Sequence, residues 1–280
     1  MLCCLPLRRL QMTKVFALAC ALAVGWQAGI ASAQTPIERA WTILEQNVAG
    51  QRDETRIAAI EALGLLVKDD RARRLAESKL TDAHADVRAG AAAALGQIGL
   101  PASVPALKRT LQDKETEVVF AATSALLQLG DPTAFQVYYA VLTGERKTGE
   151  PLLESQMNML KDPDALARIG LETGIGFIPF GGMSYKVVKS FRQDNVSPVR
   201  AAAAQRLAND PDPATGRALV AATSDDKWLV RASALSAIAR RGDAALVPAI
   251  VPRLDDENET VRCSAAAAIV RLGAATGARK

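Results

Sequence analysis

The side chains able to do chemistry are few and scattered. His84 is the single histidine, and Ala85 follows it, so no second imidazole or adjoining carboxylate stands beside it to share a metal. Its surroundings predict a solvated residue in a turn between helices. Cys263 occupies a sequence column otherwise filled by Ala89, Ala201 and Ala232, which predicts a small buried residue and not a nucleophile. Gly176 and Gly181 have phosphate-loop spacing, but Gly182-Met183 follows where Lys and Ser or Thr are needed. Carboxylates are numerous, yet they sit at regularly spaced turns, and no pair is marked out for acid–base work. No catalytic set, cofactor or metal is therefore expected.

Unusual residues gather in one stretch only, Gly174 to Gly182, where Phe177, Ile178, Pro179 and Phe180 stand among glycines with Tyr185 close behind. Three readings fit it. Phe177, Ile178 and Phe180 could fold back to fill a gap between helices. They could form a partner-binding loop, with Phe177, Phe180 and Tyr185 as anchors and Lys186, Lys189 and Arg192 on a polar rim, the usual distribution of interface energy. Or an apolar tip could enter a membrane surface while the lysines meet anionic lipid.

The first 33 residues read as an export leader, not as fold. Arg8, Arg9 and Lys14 precede an apolar run from Val15 to Ile30, and Ala31-Ser32-Ala33 offers a cleavage site before Gln34. Met1 and Met12 are both candidate starts. The residues after Arg8-Arg9 fit twin-arginine export poorly, and the sequence before Cys20 resembles a lipoprotein box only loosely. Removing this leader takes three of the 34 basic residues and leaves 31 against 30 acidic ones, so the basic pI gives no reason to expect nucleic acid. It also takes Cys3, Cys4 and Cys20. With one cysteine left the exported chain has no internal disulfide and must be stable by packing.

The elements that would position any site come from an internal repeat. Anchor positions fall at Arg56, Arg88, Val119, Arg200, Arg231 and Arg262. Three residues past each is alanine (Ala59, Ala91, Ala122, Ala203, Ala234, Ala265), and seven past is Leu63, Leu95, Leu126, Leu207, Ile238 or Ile269. One before, three past and seven past share one stripe of a helix, and small residues there admit a close neighbour. Eleven past come Gly99, Gly130, Gly242 and Gly273, expected to end helices in a left-handed conformation; Pro211 replaces the glycine once. A shorter helix precedes each anchor, clearest over Val104 to Leu111 and again over Leu246 to Leu254. Six residues before five anchors stands an aspartate: Asp82, Asp113, Asp194, Asp225 and Asp256. Its carboxylate is placed to accept N–H bonds at the next helix start and to meet the anchor arginine of an adjacent unit. The gap between Val119 and Arg200 holds a degenerate unit, with a helix over 151–160, and an insertion at about 162–182. Helices from Ile37, carrying Trp41 and Leu44, are expected to cap the N-terminal end, and Ala274 to Lys280 to form a polar tail.

These columns, Asp-x5-Arg with Val before the Arg and Ala-x3-Leu after it, resemble the HEAT-like repeats named after phycobilisome lyases, over about residues 37 to 275 with a gap in the middle. The resemblance implies an all-α solenoid of about seven helical hairpins, a domain over 34–280. Such arrays host binding, scaffolding and a few enzymes. Deoxyhypusine hydroxylase, a helical-repeat relative, holds iron with several His-Glu pairs, which a chain with one histidine cannot supply. Bilin lyases act on intracellular proteins, where an exported chain would not be. The expectation is a non-enzymatic scaffold of the cell envelope, periplasmic or secreted, binding another exported protein or peptide. Peripheral membrane association through residues 174–185 is the alternative, and a bilin-lyase-like enzyme or a chaperone is remote.

Overall fold

The computed structural model describes residues 34–143 and 196–277. Every regular element among them is helical, and all belong to one compact unit that begins at Pro36. The first hairpin pairs α1 (Pro36–Val48) with α2 (Asp53–Leu63), the second α3 (Asp70–Glu77) with α4 (Ala85–Ile98). The third pairs α5 (Val104–Thr110) with α6 (Thr116–Gln128), and α7 (Thr133–Thr143) opens the next. Beyond the gap come α8 (Ser197–Arg206), then α9 (Pro213–Ala222) with α10 (Trp228–Arg241), then α11 (Val247–Ile250) with α12 (Glu259–Gly277). The first helix of that last hairpin does not run to Leu254. Pro252 lacks an N–H and opens a 3-10 turn, Val251–Asp255, so the expected helix splits in two.

The alanine seam is the core. Ala59, Ala91, Ala122, Ala234 and Ala265 are fully buried, as are Leu63, Leu95, Leu126, Ile238 and Ile269. Without branched side chains in between, α4 and α6 approach closely and so do α10 and α12. Ala203 and Leu207, in the same columns on α8, are exposed. Gly99, Gly130 and Gly242 end or follow their helices at φ of 74°, 74° and 75°, the region in which a Cβ is disfavoured. Prolines open α9 and sit in the first turns of α5, α8 and α11, where a missing N–H costs little.

The order of stacking differs from the order of the chain. Helices α2, α4 and α6 pack in sequence, and so do α8, α10 and α12, but α12 also packs on α1 and α2. The second helices therefore run α6, α4, α2, α12, α10, α8, with the first and last hairpins side by side in the middle of the row. Three expectations fail here. The helix that begins at Pro36 is not an end cap: Trp41 and Leu44 are buried between α2 and α12. Residues 274–277 are not a tail, since α12 continues through Gly277. Gly273 does not end a helix. It lies within α12, where an added Cβ would come within 2.5 Å of Ile37 Cδ1, so what it allows is the close crossing of α1.

Candidate interaction surface

The anchor arginines and turn aspartates form a repeated joint. In Arg88, Nη1 donates to the carbonyls of Asp82 and Ala83, at 2.9 and 3.2 Å, tying down the turn of its own hairpin. Nε and Nη2 of the same guanidinium reach the carboxylate of Asp113 in the next hairpin, at 2.7 and 2.9 Å. This is a bidentate pair, the strongest arrangement open to these groups. Arg56 joins Asp82 at 2.9 Å and Arg231 joins Asp256 at 2.8 Å, each through Nη2 alone. Arg200 joins Asp225, with Arg200 half exposed and facing an open groove lined by Val196, Ser197, Ser224 and Lys227. Each aspartate also accepts the N–H two residues on, that of His84, Glu115, Lys227 or Asn258. Burial pushes the carboxyls of Asp82 and Asp113 up, but these N–H groups and the arginines outweigh it and hold both below the ordinary carboxylate range.

The joint changes where the first and last described hairpins meet. Six residues before Arg56 stands Gly50 in place of aspartate, and Arg262 faces Glu259 of its own helix at 3.6 Å. Arg262 still binds the carbonyls of Asp256 and Glu257, at 2.7 and 3.0 Å. A different set closes the seam: Glu259 accepts from Arg52 at 2.8 Å and Thr55 at 2.9 Å, and Arg271 donates to the Leu65 carbonyl at 2.6 Å. Asn47 Nδ2 stands 3.3 Å from Cys263 Sγ, and Arg39 pairs with Asp255.

The isolated reactive residues have plain surroundings. Cys263 is fully buried, and burial pushes its thiol up to about 12, where little thiolate forms. His84 precedes α4 with its ring more than half exposed, 3.6 Å from Asp53. Among the described residues no three or more of His, Cys, Asp and Glu are grouped to hold a metal, and no helix is long and apolar enough to cross a membrane. Phe177, Phe180, Tyr185, Lys186, Lys189, Arg192 and Asp194 lie outside the described residues, as do Ala31 and Ala33, the helix expected at 151–160 and the insertion.

Two features escaped the sequence reading. Phe135 and Tyr139, one turn apart on α7, are 64% and 60% exposed, while Val137 and Tyr138 on the other side pack against the core. Their four-residue spacing was the available signal. The other is Glu61, a carboxyl on α2 that burial pushes up to about 8.

Comparison with known proteins agrees with the architecture. The family model for HEAT repeats matches residues 41–127, 74–145 and 216–279, together more than half of the chain. No curated protein matches the chain in sequence. Among solved structures, the complex of CpcE and CpcF of phycocyanin lyase from Nostoc sp. PCC7120 is similar at 22% identity and a TM-score of 0.34, over 91% of this chain and 98% of that one. Human deoxyhypusine hydroxylase in complex with glycerol is similar at 18% identity and a TM-score of 0.35, over 88% and 100%. Likeness at this level carries nothing about activity. The buried alanine seam, the arginine–aspartate joints and the family match agree, and the chain belongs to the HEAT-repeat family.

Proposed function

We propose that the chain is a non-enzymatic interaction scaffold of the cell envelope, exported by its N-terminal leader and holding another exported protein or a peptide. Stacked hairpins make an extended surface, which suits this role. The observation that carries the reading is the exposed pair Phe135 and Tyr139, in a chain with only 4% aromatic residues. Large aromatics held on a rigid helix and left in water are the groups that anchor partners.

The test places a photo-crosslinking amino acid at position 135 in cells that export the protein. The reading expects a discrete adduct in the periplasmic or secreted fraction, a mature chain beginning at Gln34, and loss of the adduct on Tyr139→Ala. No adduct from position 135, or a chain that keeps its leader in the cytoplasm, would refute it. Flotation with anionic vesicles separates the membrane reading, which requires the purified protein to rise with lipid.

A further inference from the structure

Nine residues past the anchors of α10 and α12 stand Arg240 and Arg271, 31 residues apart and at the same turn of adjacent packed helices. Neither has a carboxylate partner among the described residues, unlike the anchor arginines below them. Arg271 spends one nitrogen on the Leu65 carbonyl across the seam. The Nη2 of Arg240 is buried and has no hydrogen-bond partner at all. Burial lowers the pKa of both groups, and the charge of Arg271 lowers that of Arg240 further.

A guanidinium cannot shed its proton at physiological pH. Two permanent like charges, partly removed from water and with one donor idle, are costly unless something negative joins them. The two forks stand on rigid helices held in register by the Arg231–Asp256 joint at 2.8 Å, so the arrangement exists before any ligand arrives. Planar forks match the oxygens of carboxylate and phosphate, and bidentate capture is their strongest mode.

We propose that Arg240 and Arg271 form an oxyanion site, one that takes a carboxylate or phosphate group between the last two hairpins, where Arg271 also reaches the first. The site does not depend on the interaction reading above, and either can fail without the other.

Full-length mature protein is titrated with inorganic phosphate and, separately, with glutarate, at ionic strength held constant with sodium chloride, and the melting temperature is followed. A saturable rise of several degrees is expected with at least one of them, and which one identifies the oxyanion. The rise disappears in Arg240→Gln. In Arg240→Lys, which keeps the charge and loses the fork, half-saturation moves up about tenfold; this variant decides the matter if the glutamine form does not fold. No saturable rise with either anion, or equal rises in wild type and both variants, would overturn the site.

Discussion

Arg231 is the most informative residue to remove. Its side chain and that of Asp256 are only 6% and 5% exposed. The guanidinium holds two carbonyls of its own turn, at 2.9 and 3.2 Å, as well as the carboxylate of the next hairpin at 2.8 Å. Arg231→Ala strands Asp256 in a buried place with one remaining donor, the Asn258 N–H at 2.9 Å. Breaking a buried pair on one side costs about 3–5 kcal/mol, and the two stranded carbonyls act in the same direction. Against a typical total of about 5–15 kcal/mol, that loss removes a large part of the stability. Urea unfolding followed by circular dichroism at 222 nm measures it. The double variant Arg231→Leu with Asp256→Asn leaves no buried charge and should recover at least half of the loss. Arg200→Ala removes a side chain that is 52% exposed, so it should cost less than Arg231→Ala even though its partner Asp225 is 7% exposed. If Arg231→Ala costs no more than Arg200→Ala, the joints do not hold the hairpins together and the reasoning fails.

Two further outcomes follow from single residues. Glu61 has its folded pKa raised from 4.5 to about 8, so its neutral form suits the fold: stability is fullest below pH 4.5 and declines as pH rises towards 8. With partial exposure discounting the shift, Glu61→Gln should gain about 1–3 kcal/mol over wild type at pH 8.5 and almost nothing at pH 4, read from paired melting curves; a gain independent of pH would contradict this. Gly242→Ala must adopt φ of 75° and should lose about 1–2 kcal/mol, whereas Gly273→Ala, inside a helix, need only displace the end of the Ile37 side chain. Equal losses in the two variants would show that Gly242 does not need its left-handed conformation.

Much of the fold was legible because a repeat writes the same physics several times. Alanine three past each anchor and a large aliphatic seven past it describe one face of a helix, and a seam of that composition has few ways to pack. The aspartate six before the arginine was legible for the same reason, as were Gly99, Gly130 and Gly242. Gly273 was misread because its column suggested a terminator, while its neighbour is a helix more than 200 residues earlier in the chain. Periodicity reports contacts between successive hairpins and is silent on contacts between the first and the last. For that reason the position of α1 and the seam at Glu259 were invisible, although Gly50 in place of the turn aspartate marked the first hairpin as unlike the others. The exposed face of α7 was hidden differently: Phe135 and Tyr139 look like core residues until the helix is placed.

The central structural claim is that the first and last described hairpins meet, and Asn47 with Cys263 tests it most directly. Their side chains touch at 3.3 Å although 216 residues separate them. Refolding Asn47→Cys in a fragment of residues 34–280, which otherwise holds Cys263 alone, in a glutathione buffer lets a disulfide form before burial slows the Cys263 thiol, and a non-reducing gel with thiol counting reads the result. The account predicts a monomer with no free thiol, faster mobility and a raised melting temperature, all absent when Cys263→Ser is added. Two free thiols, or intermolecular dimers alone, would contradict it.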